Sequence, residues 1–122
     1  MTVCFVGDVV GKVGRLLLKE HLGALRERFG IDLVIANSEN ASHGFGLTKK
    51  NSDELFSYGI DVMSGGNHSW DKKETLAFID SEPRLLRPIN YPSGVPGRGS
   101  GVFKEVGVLN IMGLYVKPSL EN

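Results

Sequence analysis

The amino-acid sequence predicts an α/β fold, a parallel βαβαβα start followed by a β-hairpin. Three observations carry that prediction. Short apolar runs at 3–6, 31–36 and 60–63 alternate with stretches whose apolar residues recur at helical spacing. Each of these runs ends in a polar loop that contains glycine or asparagine. Two last apolar runs, 101–106 and 108–111, follow each other across Gly107. Strands that alternate with helical stretches favour a parallel sheet with helices packed on it.

Each element has its own signal. Residues 3–6 (Val-Cys-Phe-Val) read as a short buried strand ended by Gly7-Asp8, with Cys4 as a small apolar core residue. Leu18, Leu22, Leu25 and Phe29 lie at helical spacing within a helix over 13–29, which Gly30 closes. His21 falls inside this helix and is expected to face solvent. Residues 31–36 form the second strand, and the polar loop 37–46 follows. Thr48 is placed to cap a second helix that ends near Gly59. Residues 60–63 give a third strand. Asp71 and Glu74 have the spacing of a capping box for a third helix reaching Ile79. Prolines 83, 88, 92 and 96 and glycines 94, 97 and 99 make 81–100 a long surface loop. The two last runs pair as a hairpin.

Composition narrows the function classes. The 122 residues suffice for one domain, and the hydrophobic fraction of 41% argues against disorder. Fourteen basic residues balance fourteen acidic ones, which excludes nucleic-acid or membrane binding driven by bulk charge. A single cysteine excludes an internal disulfide framework. No apolar stretch approaches a membrane span, and the first residues lack the basic and apolar regions of a signal peptide. A cytoplasmic location is expected.

Parallel topology has a chemical consequence. The loops that follow the strands emerge together at the carboxyl edge of the sheet, where ligands of open α/β folds bind. Here they carry Gly7-Asp8, Asn37-Ser38-Glu39-Asn40 and Gly66-Asn67-His68. The segment Gly7-Asp8-Val9-Val10-Gly11-Lys12 is not a phosphate loop. Only three residues separate its glycines, and Val13 follows Lys12 where that motif needs Ser or Thr. Nor is Gly97-Arg98-Gly99-Ser100-Gly101 a dinucleotide fingerprint, since it precedes a strand. A metal site fits better, because Asp8, Glu39, Asn40, Asn67 and His68 offer carboxylate, amide and imidazole donors. Such a set suits Mn, Fe or Zn. Individually, Asp8 could cap a helix, Glu39 could be a solvated acid, and either asparagine could form a turn. Jointly, their recurrence at three successive strand ends favours ligands.

The sequence resembles the YmdB-type family of calcineurin-like metallophosphoesterases. The resemblance rests on Gly7-Asp8-Val9-Val10-Gly11 with Gly14-Arg15, Asn37-Ser38-Glu39-Asn40-Ala41 and Gly66-Asn67-His68-Ser69-Trp70-Asp71. Gly44-Phe45-Gly46-Leu47-Thr48 and Leu86-Arg87-Pro88-Ile89-Asn90-Tyr91-Pro92 support it. It implies part of a metallophosphoesterase α/β sandwich, with residues 1–122 as the N-terminal half of one domain. It also implies a hydrolase acting on 2′,3′-cyclic nucleotides or related phosphodiesters through two divalent or trivalent metal ions, Fe or Mn before Zn or Mg. By position, Asp8 would bind the first metal, Glu39 would bridge, Asn40 would complete the first site and Asn67 would bind the second metal. His68 would protonate the leaving oxygen, and His43 would contact substrate.

The family's further histidine ligands lie in a second half of similar length, and Leu114 stands where the family tends to place arginine. The terminus ends without a capping element. Alone, the chain is expected to bind metal weakly and to be inactive. The alternative is a non-catalytic module on the same scaffold that binds a nucleotide, an RNA end or a protein. A half sheet would also expose an edge, through which a homo-oligomer is expected to pair.

Overall fold

The computed structural model describes residues 1–113. The expectations for Leu114 and for the terminus lie outside those residues. In chain order the elements are β1 (Val3–Val6), α1 (Gly11–Phe29), β2 (Leu33–Asn37), α2 (Lys49–Ser57), β3 (Val62–Ser64), α3 (Lys73–Phe78), a 3-10 turn (Ile79–Ser81), β4 (Ser100–Phe103) and β5 (Val106–Leu109). The first three strands form a parallel sheet in the order β1-β2-β3, with Val6 opposite Ala36 and Ala36 opposite Met63. Strands β4 and β5 form a separate antiparallel pair. This is the α/β architecture expected from the sequence.

The two faces of the parallel sheet bury different partners. On one face Val34, Ala36 and Met63 join Leu22 of α1 and Leu55 of α2 in the larger core. On the other, Leu33 and Val62 meet Leu86 and the hairpin residues Phe103, Val106 and Val108. Full burial of one such aliphatic side chain is worth roughly 1.5–3 kcal/mol. The exposed Lys49–Asp53 ion pair, in contrast, belongs to a class worth about 0–1 kcal/mol, so packing decides the fold. The hairpin does not extend over β1, where Val3 and Phe5 remain 45% and 63% exposed. Among the described residues, β1 pairs with β2 alone.

Helix termini follow the sequence in two cases and depart from it in a third. The Thr48 hydroxyl accepts the Asn51 amide at 3.1 Å, the cap that its position predicts. Gly30 closes α1 in the left-handed region at φ +57°. The capping box of Asp71 and Glu74, however, does not form. Lys72 occupies the cap of α3 with no side-chain bond. The Asp71 carboxylate pairs with the His68 ring, and Glu74 accepts the Lys49 amide at 3.0 Å. Both acids thus have partners that sequence spacing does not reveal.

The segment 81–100 is also more than a surface loop. Met63 donates its amide to the Arg84 carbonyl and accepts from the Leu86 amide, both at 2.8 Å, which lays 84–86 along β3. Leu85, Leu86, Pro88 and Tyr91 are buried. At the amino edge, Asp61 accepts from the Val34 amide (2.8 Å), from Arg26 of α1 (3.1 Å) and from Lys104 of the hairpin (3.2 Å). One carboxylate ties three layers together.

The hairpin turns at Lys104-Glu105, not across Gly107, which pairs with Val102 inside β5. Phe103, Val106 and Val108 must all face the parallel sheet, and that alternation fixes a register with a two-residue loop. Lys104 and Glu105 adopt φ +46° and +69°, the left-handed pair of a tight hairpin turn, where non-glycine residues are strained. Glu105 is exposed. Glu105→Gly is therefore expected to raise stability by roughly 0.5–1 kcal/mol, read from the urea unfolding midpoint. A loss of stability would contradict the strain.

Candidate active site

Backbone bonds continue the parallel ladder beyond the strand ends and draw the three loops together. The Val9 amide donates to the Asn37 carbonyl (3.0 Å), Gly11 to Asn40 (2.9 Å) and Ser38 to Ser64 (3.0 Å). Arg15 of α1 donates to the Ala41 carbonyl, and its Nε lies 3.8 Å from Glu54 of α2. The β2–α2 loop is thereby held between the two helices.

Two pairs of the sequence-designated residues meet in this setting. The Asn40 amide group donates to both Asp8 oxygens, at 2.9 and 3.1 Å, although 32 residues separate the two. The Glu39 carboxylate accepts the His68 backbone amide at 2.9 Å. Asn67 lies between Gly66 and His68 in the same turn, half-buried, with no side-chain hydrogen bond among the described residues. His43 stands apart. It is exposed in the left-handed region at φ +58°, in the turn that leads to Gly44 and Gly46, and its ring bonds to none of the other five. His21 is exposed on α1, as expected.

The donor set fits one part of a metal centre. Among the described residues, no three His, Cys, Asp or Glu side chains converge as a metal-holding group. Asn40 Oδ1 is buried and has no hydrogen-bond partner. An unpartnered amide oxygen beside a carboxylate is costly to bury, and it is a suitable ligand for a hard or borderline cation.

Several residues that build the site have no role assigned to them from the sequence. Gly66 is one. A Cβ there would fall inside the envelope of the Glu39 carboxyl carbon and of both its oxygens. The Gly66 amide donates to Ser69 Oγ at 2.8 Å, and its carbonyl accepts from the Tyr91 hydroxyl. Burial raises the pKa of that phenol and keeps it a donor, against a lowering contribution from Ser69. Tyr91 in turn lies against Trp70, with ring centroids 5.8 Å apart. Asn110 donates to the Gly65 carbonyl at 3.1 Å. Asp71 is the other omission, since capping-box spacing assigned it to a helix terminus. In the structure it holds His68 Nδ1, and Nε2 has no hydrogen-bond partner among the described residues.

The hydrogen bond that the ring donates to Asp71 raises the His68 pKa above the ordinary 6.5, with desolvation opposing and Asp71, Glu39 and Asp8 adding by charge. A raised histidine pKa means that the pair stabilises the fold fully below pH about 6.5 and that this contribution fades as pH rises through the folded-state value. In metal-free protein, the His68 ring is expected to titrate by NMR above the ordinary histidine value of 6.5 and to move down in Asp71→Asn. A His68 midpoint unchanged by that substitution would remove the assigned cause. Gly66→Ala is expected to displace the Glu39 carboxylate at small cost in stability, because the displaced atoms end a flexible side chain. The His68 amide resonance should then shift as its acceptor leaves, and an unchanged resonance would show that Glu39 accommodates the methyl group in place.

The model of the family described as YmdB-like protein matches residues 4–122. Over 126 aligned residues the chain is 43% identical to the 2′,3′-cyclic-nucleotide 2′-phosphodiesterase of Bacillus subtilis (strain 168), covering 100% of this chain and 48% of that protein. The crystal structure of a novel phosphatase from Mycoplasma pneumoniae superposes with a TM-score of 0.90 at 34% identity, covering 98% of this chain and 45% of the other. A hypothetical protein from Thermus thermophilus superposes with a TM-score of 0.82 at 41% identity, covering 93% and 45%. The chain thus spans about half the length of the curated relatives it matches. Its sheet, helices and hairpin are shared with these structures, and the chain belongs to the YmdB-like protein family.

Proposed function

We propose that the chain carries one part of the active site of a metal-dependent phosphodiesterase, a hydrolase acting on 2′,3′-cyclic nucleotides or related phosphodiesters. The observation that carries the reading is the meeting of Asp8 with Asn40 and of Glu39 with His68 at one sheet edge. The similarity to a 2′,3′-cyclic-nucleotide 2′-phosphodiesterase supports the substrate class. Asp8, Glu39, Asn40 and Asn67 would hold the metals, with Glu39 shared between two ions. The remaining ligands would come from a region corresponding to the other half of the relatives. Two bound cations would lower the pKa of an attacking water and offset the charge of the phosphate.

The chain's own residues account for the rest of the chemistry. Water oxygen adds to phosphorus and releases a proton to solvent, the bond from phosphorus to one ribose oxygen breaks, and that oxygen needs a proton. His68, protonated and held at Nδ1 by Asp71, has Nε2–H free to donate it. The Asp71 carboxylate on Nδ1 favours the protonated form of the ring. Glu39 fixes the start of the histidine turn through the His68 amide.

Two measurements test this reading. In a protein completed to the length of the relatives and incubated with Mn²⁺, elemental analysis is expected to find bound metal that falls in Glu39→Gln. Absence of metal in both forms would favour a non-catalytic binding module. In a protein completed to the length of the relatives, His68→Ala is expected to keep metal and to lose roughly 10²–10⁴ in kcat on a cyclic nucleotide. The loss should be smaller for an aryl phosphodiester, whose leaving group departs without a proton. Equal losses would exclude the proton-donor role, and loss of metal would make His68 a ligand.

A further inference from the structure

A second feature lies beside the candidate site, between α1 and α2. Lys12, Arg15, Leu16 and Lys19 follow the i, i+3, i+4, i+7 spacing of a single helical stripe. With Glu54 and Tyr58 of α2 they line an open groove of about 230 Å³. Arg15 is committed to the Ala41 carbonyl and to Glu54. Lys12 and Lys19 are exposed and have no carboxylate within salt-bridge distance among the described residues. Three cations against one anion leave the groove at +2, in a chain whose formal net charge is zero.

The groove is also oriented toward the site. Lys12 follows Asp8 by four residues, and the Gly11 amide beside it bonds the Asn40 carbonyl. At 1.5 Å per residue, Lys19 lies about 10 Å further along α1, away from the carboxyl edge of the sheet. Tyr58, half-buried at the end of α2 and packed against the larger core, lines the groove with what remains exposed of its ring. A positive groove with an aromatic wall, opening beside a phosphodiester site, has the features that bind single-stranded nucleic acid without reading sequence. A mononucleotide held at Asp8 and His68 would not extend along it.

We propose that this groove binds the phosphodiester backbone of a single-stranded oligoribonucleotide whose terminal phosphodiester enters the site, so that the protein favours RNA ends over free cyclic mononucleotides. The proposal rests on the phosphodiesterase reading for the direction of the strand. Lys12 and Lys19 contact backbone phosphates, and Tyr58 offers its ring to a base.

The test measures binding of the full chain to a fluorescent single-stranded oligoribonucleotide by anisotropy, with chelator present so that no hydrolysis contributes. Affinity should fall with salt, and Lys12→Gln/Lys19→Gln should reduce the slope of log K against log salt by about 1.4, the value for two single-strand phosphate contacts. The same variant should bind about tenfold more weakly, whereas Arg28→Gln, on another face of α1, should change affinity less than twofold. Resonance shifts of α1 and α2 amides on titrating RNA into the unmodified chain give an independent reading if the double variant folds poorly. Binding unchanged in the double variant, shifts elsewhere than the groove, or equal affinity for adenosine monophosphate would overturn the proposal. Tighter binding of an acidic peptide would assign the groove to a protein instead. Binding of RNA here by a completed protein that hydrolyses no phosphodiester would reject the activity and retain the groove. Hydrolysis of cyclic mononucleotides without RNA binding would do the reverse.

Discussion

The chemistry available to this chain depends on a ladder of backbone hydrogen bonds that does not stop where the strands stop. Parallel pairing in register sets β1, β2 and β3 level, with Val6, Ala36 and Met63 side by side. The bonds from Val9 to Asn37, from Ser38 to Ser64 and from Gly11 to Asn40 carry the same alignment into the loops. Backbone groups in loops are ordinarily satisfied by water, and here they are satisfied by one another. That substitution lets residues from distant parts of the sequence form contacts of hydrogen-bond length. Asp8 meets Asn40 because the segments that carry them are already joined.

Around this edge the polar groups are arranged in layers of decreasing exposure. The carboxylates of Asp8 and Glu39 and the ring of His68 are reachable from solvent, whereas the groups that hold their loops are buried or, for Arg15, half-buried. Tyr91 and Ser69 act on Gly66, Asn110 on Gly65 and Arg15 on Ala41, each bonding a backbone group in a loop that carries a site residue. At the opposite edge Asp61 does comparable work for the scaffold, joining α1, β2 and the hairpin. These contacts flank a sheet whose middle is left to aliphatic packing.

Much of this was legible from the order of the residues. The period of apolar positions identified the helices and strands, and Thr48 and Gly30 marked helix ends because each acts on its own neighbours. The strand-end loops were legible for a similar reason, since parallel topology alone brings them to one edge. What sequence spacing could not reveal was competition. Asp71 has the spacing of a capping residue and also lies one turn from His68, and the imidazole prevailed. Gly107 looks like a turn, yet the burial of Phe103, Val106 and Val108 set a register that strained Lys104 and Glu105 instead. Tyr91 and Asn110 belong to segments whose role depends on contacts 25 and 45 residues away.

The contact between Glu39 and Gly66 has a consequence for how the protein can vary. The carboxylate of one residue occupies the volume that a side chain on the other would need. The two positions are therefore not independent in inheritance. While a glutamate stands at 39, every single-step change at 66 meets the same obstruction. A shortened residue at 39 would lift it but would withdraw the acceptor of the His68 amide. A change at 66 is therefore felt 27 residues away, as a movement of the Glu39 carboxylate off the His68 amide rather than as a loss of packing.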